Sequence, residues 1–139
     1  MRILVAAALL AVAAGPVAAD GEPAPSVQTL FTGKSTVLDQ PLVYPAGQAV
    51  VTSQVITLPP GAATGWHIHA VPLYGYILEG ELTVDYGEKG TRVYRTGDSL
   101  LEAIDWPHNG HNGGTVPVRI LAVYIGAEGL ADATKLPAQ

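Results

Sequence analysis

Residues 61–80 read GAATGWHIHAVPLYGYILEG, and the pair His67 and His69 within them governs the reading of the whole chain. Two histidines at i and i+2 on a β-strand project from one face, with Cα atoms roughly 7 Å apart. That spacing lets both rings converge on one ion at about 2.1 Å from each nitrogen. The other two histidines, His108 and His111, also sit together, in residues 97–112, GDSLLEAIDWPHNGHN. Several strands' worth of sequence separates the two clusters, so only a folded β-structure unites them. A third His from a neighbouring strand completes a triangle and leaves coordination positions open to water or substrate.

The flanking sequence suits such a fold. Short runs rich in Val, Ile, Leu, Thr and Tyr alternate with Gly and Pro, and no long helix-period pattern appears. The clearest strands are Ala49 to Leu58, Leu73 to Glu79, Glu81 to Tyr86, Thr91 to Arg95, Ser99 to Ile104 and Val116 to Ile125. Gly87 to Gly90 and Thr96 to Asp98 supply turns between them. Strands of this length and spacing predict a sandwich or closed barrel. Residues 127–139 turn Ala-rich and read as a C-terminal tail holding one helical turn or no regular structure.

The start of the chain reads differently. Met1-Arg2 gives a positive start, Ile3 to Ala14 an apolar run, and Val17-Ala18-Ala19 small residues ahead of Asp20. This is the layout of a secretory signal peptide over residues 1–19, cleaved after Ala19, with an uncleaved anchor as the alternative. The expected location is periplasmic or secreted. Residues 20–30 follow as a flexible leader and N-terminal strand. The chain carries a formal charge of −5, and losing Arg2 makes it one unit more negative. Nucleic acid and anionic membrane surfaces are poor partners for such a protein. With no cysteine, disulfides and thiolate metal sites are excluded, so nitrogen and oxygen must hold any metal.

Gly61, five residues, His67-Ile68-His69 and then Tyr76 to Gly80 resemble the first motif of the cupin superfamily. Gly97, ten residues, His108, three residues and Asn112 resemble its second. The resemblance implies an all-β double-stranded β-helix, a jelly-roll barrel, over residues 31–126. It also implies that His67, His69 and His108 bind one divalent transition metal, whether Fe, Mn, Zn, Ni or Cu, and that the protein is a homodimer. Two departures stand out. The family's usual carboxylate ligand, seven residues before Gly80, is here Leu73, and the Pro and Gly of the second motif are Ala103 and Asp105. The site therefore has three His ligands or recruits a carboxylate from elsewhere. Three neutral imidazoles leave the ion's +2 charge uncompensated, which favours a small anionic, chelating partner.

Other residues carry weaker signals. Glu102 reads either as an inward general base or distant ligand, or as a charge on the solvent face of a strand. His111 reads as a catalytic proton shuttle at the mouth of the site, or as an exposed loop residue, the more usual case. Asn112 is expected to organise its loop through backbone hydrogen bonds. If Leu73 faces inward, Tyr74 and Tyr76 face out, and Trp66 and Ile68 oppose the two histidines. That outward patch needs cover from a second copy or from the N-terminal segment.

These readings predict an exported metalloenzyme, dioxygenase-like, acting on an anionic chelating substrate. The alternatives are a non-catalytic metal or small-ligand binding or sensing module, and a lyase or isomerase using Lewis-acid chemistry.

Overall fold

The computed structural model describes residues 24–137. The expected signal peptide, residues 1–19, lies outside the described residues.

Among the described residues nine strands form: β1 Ala49–Leu58, β2 His67–Ile68, β3 Leu73–Glu79, β4 Glu81–Asp85, β5 Thr91–Arg95, β6 Ser99–Leu101, β7 Asn109–His111, β8 Val118–Ala127 and β9 Thr134–Lys135. One sheet runs β1-β8-β3-β6, a second β5-β4-β7, and β2 pairs with β9. All pairs are antiparallel. The long β1–β8 ladder matches Ala49 with Ala127 and Leu58 with Val118. This is the expected jelly-roll architecture.

Period-2 alternation puts one row of side chains between the sheets. On β8, Val118, Ile120, Ala122 and Tyr124 are buried, and on β3, Leu73, Gly75 and Ile77. Tyr74 and Tyr76 take the outer face, half-buried. Phe31 of the N-terminal segment stacks against Tyr74 with ring centroids 5.8 Å apart, so that segment covers part of the outward patch. Gly80 turns β3 into β4 at φ 81°, and a Cβ there would meet the Pro117 carbonyl oxygen at 2.6 Å. Left-handed backbone and close approach together call for glycine.

Several strand limits differ from expectation, each for a local reason. Residues 24–30 form no strand, and Pro25 has no N–H to give a ladder. The run expected to reach Ile104 is a strand only to Leu101. Beyond it the Gln40 side chain binds both the N–H and the carbonyl of Ile104, standing in for a strand neighbour. Pro117 delays β8 to Val118. Most consequential is the tail: in place of a helical turn, it returns to pair β9 with β2.

Candidate metal centre

Backbone bonds bring the histidines together before any side chain acts. His67 and His108 form a reciprocal pair, each N–H donating to the other's carbonyl at 3.1 Å. His69 follows on from β2, whose other edge is held by β9. The three rings lie with centroids 4.4 to 5.0 Å apart, and one ligand nitrogen from each falls within 4.8 Å of the others.

Their tautomers follow from their partners. Nδ1 of His67 meets the Gly65 carbonyl at 2.7 Å, Nδ1 of His69 the Asp132 carbonyl at 2.8 Å, and Nδ1 of His108 the Trp106 carbonyl at 2.8 Å. A carbonyl oxygen only accepts, so each Nδ1 donates and each Nε2 keeps its lone pair. Burial lowers the pKa of all three, that of His69 to about 4, so the rings are neutral at pH 7. His108 Nε2 is buried with no hydrogen-bond partner. An orphaned buried acceptor is costly, and a metal ion among the three lone pairs satisfies it. The residues fit a divalent metal held by nitrogen donors, with each imidazole oriented by its second hydrogen bond.

The rings open into a cavity of about 60 Å³ between the two sheets. Leu73, Leu82, Leu100, Ile120 and Ala122 give it apolar walls, and Glu102 and Thr64 add polar groups beside the histidines. Since a water needs about 10–15 Å³ of such space, the cavity has room for an ion and a small ligand beside it.

The weaker candidates separate clearly. Glu102 does not lie on a solvent face. It is 6 % exposed and lines the cavity. It shares the parity of Leu100, which also lines the cavity, and its N–H donates to the Leu73 carbonyl at 2.9 Å, so the pairing with β3 carries one residue past β6 and turns the side chain inward. Its Oε1 accepts the Ala103 N–H at 2.7 Å, and its Oε2 lies 4.0 Å from His108 Nε2. Burial pushes its pKa up, against the pull of the Ala103 N–H and the Tyr86 hydroxyl. His111 is not at the cavity. It sits in β7, half-buried, with the parity of Asn109, whereas His108 and Gly110 line the site. A shuttle role would need it on the other face. Asn112 does organise its loop: Nδ2 donates to the carbonyls of Leu58 and Val116, and Oδ1 accepts the Gly114 N–H.

Asp105 takes φ 49°, the left-handed conformation that glycine adopts freely and Asp tolerates better than most. The substitution therefore keeps the turn. The sequence reading missed the backbone carbonyls of Gly65, Trp106 and Asp132. A carbonyl belongs to every residue, so residue type carries no signal for it.

Residues 54–124, just over half of the chain, match the family model of the cupin domain. The chain is a cupin. Among curated proteins none matches it. Solved structures that resemble this cupin include the oxalate decarboxylase of Lactobacillus farciminis in a formate complex, at 20 % identity and TM-score 0.55 over 64 % of this chain and 27 % of that one. The DMSP lyase DddQ of Ruegeria pomeroyi DSS-3 matches at 21 % identity and TM-score 0.54, over 61 % of this chain and 42 % of that one. A further oxalate decarboxylase matches at 23 % identity and TM-score 0.52, covering 62 % and 24 %. At these identities the likeness concerns the fold, and this cupin spans less than half the length of each.

Proposed function

We propose that this cupin is an exported metalloenzyme that holds one divalent transition metal on His67, His69 and His108. Its substrate is a small anionic chelating molecule, and its chemistry is dioxygenase-like. The observation that carries the reading is the set of three neutral imidazoles, each pinned at Nδ1 by a carbonyl so that the Nε2 lone pairs converge. An ion there supplies Lewis acidity and, if redox-active, an electron-transfer centre.

The protein's own part is to bind, orient and exclude. The apolar walls keep water from the rings and strengthen electrostatic attraction inside the cavity. Neutral ligands leave the centre net positive, so it draws an anion. Oxalate, named for two of the structures of similar fold, is a substrate of this class. Glu102 gives the cavity a carboxyl that can hold or move a proton, which favours turnover over simple retention. Export is supported by residues 1–19, and N-terminal sequencing of the exported protein, expected to begin at Asp20, tests it.

Metal content of the native protein against a His67→Ala/His69→Ala double variant tests the centre. Stoichiometric metal in the native chain and its loss in the variant are expected, followed by oxygen uptake with diketones, thiols or phenols. Tight retention of such ligands without turnover would make the protein a binding module. A native chain that takes up no divalent ion would overturn the reading.

A further inference from the structure

We propose that Glu102 is the carboxylate partner of the ion, reaching it from just beyond β6 where no acid is offered from β3. The proposal rests on the metal-binding reading above. Leu73, the β3 residue facing the cavity, presents only carbon to it. Glu102 lines the same cavity, and a carboxylate so deep is expensive without a positive partner. Among the described residues no Lys or Arg forms an ion pair with it; the Tyr86 hydroxyl and His108 are its close polar neighbours, and neither is a cation at pH 7.

The distances favour an ion as the missing partner. Oε2 lies 4.0 Å from the orphaned Nε2 of His108, with no hydrogen bond between them. Two donor atoms that each sit about 2.1 Å from a shared ion are at most about 4.2 Å apart, so this gap is within reach. The carboxylate is also held in place, because Oε1 accepts the Ala103 N–H at 2.7 Å. A proline at 103 has no N–H and could not anchor it. The departures at Leu73 and Ala103 therefore belong together: one leaves β3 without an acid at the cavity, and the other fixes an acid on the neighbouring segment, where the Glu102 N–H donates to the Leu73 carbonyl at 2.9 Å. With Glu102 engaged, the centre's net charge falls from +2 to +1.

The test is Zn²⁺ affinity of the full chain by chelator competition, wild type against Glu102→Gln. Glutamine keeps the shape and an oxygen for the Ala103 N–H while removing the charge. Affinity at least about 10-fold weaker is expected, and affinity within twofold of wild type overturns the proposal. If the variant does not fold, infrared difference spectra of wild type, Zn²⁺-loaded minus metal-free, decide with ¹³C-carboxyl glutamate. An isotope-shifted glutamate carboxylate band supports the proposal, and its absence overturns it. Wild type that binds no Zn²⁺ or other divalent ion overturns the metal-binding reading as well, whereas binding unaffected by Glu102→Gln overturns the role of Glu102 alone.

Discussion

Removing the C-terminal tail should weaken metal binding without unfolding the barrel. Truncation after Gly129 deletes the Asp132 carbonyl that accepts the His69 Nδ1–H at 2.8 Å. It also removes β9, which pairs with His67 and Ile68, and the Leu136 N–H bond to the Trp66 carbonyl. His69 then loses the partner that fixes its tautomer and ring orientation, and β2 loses one of its edges. Loss of one such outer partner typically weakens metal affinity about 10- to 100-fold, or about 1.4 to 2.7 kcal/mol. The core is spared, since no described residue after Ala127 is buried. Chelator competition with Zn²⁺ measures the affinity, and thermal melting of the metal-free chain checks the fold. Asp132→Ala is the control: it keeps the backbone carbonyl, so its affinity should stay within about twofold of wild type, well short of the outer-partner loss. A truncated chain that melts normally and binds Zn²⁺ as tightly as wild type would refute the reasoning.

Acid should destabilise the metal-free protein. Burial lowers the His69 pKa from 6.5 to about 4, so the unfolded chain takes up the proton first. Stability is then full above about pH 6.5 and falls toward pH 4, by about 2 kcal/mol at pH 5 from this residue alone. His67 and His108 shift in the same direction. Glu102, whose pKa is raised, acts in the opposite sense and loses stability as pH rises, so the urea titration is best run in Glu102→Gln; equal stability at pH 7.5 and 5 contradicts the prediction. Asn112→Ala removes a buried donation to the Leu58 carbonyl, a second, partly buried one to the Val116 carbonyl and the Gly114 contact, and should lower unfolding free energy by about 2–3 kcal/mol in denaturant melts. A second copy is expected to dock along the open edge of β1, where Val51 and Val55 are more than half exposed, so the protein should sediment as a dimer. Val55→Lys should return it to monomer.

The sequence by itself determined the class of fold and the identity of the converging histidines. Strand alternation is a local property, so the inward set on β3 and the outward Tyr74 and Tyr76 were legible from spacing alone. The His-Ile-His pair could be read because two-residue periodicity sets its geometry. Glu102 shares the parity of Leu100, yet which face of that run looks inward was settled only by its pairing with β3. His111 follows His108 at an odd spacing, yet whether that stretch is loop or strand depended on pairing with β4. The tail was the largest surprise: Ala-rich residues carry no strand signal, and β9 exists because β2 offers it an edge. The partners that fix each imidazole are backbone carbonyls, which side-chain chemistry does not mark. Local periodicity is written in residue types, whereas the tautomers, the buried carboxylate and the closing tail depend on contacts between segments far apart in the chain, and only tertiary structure decides those.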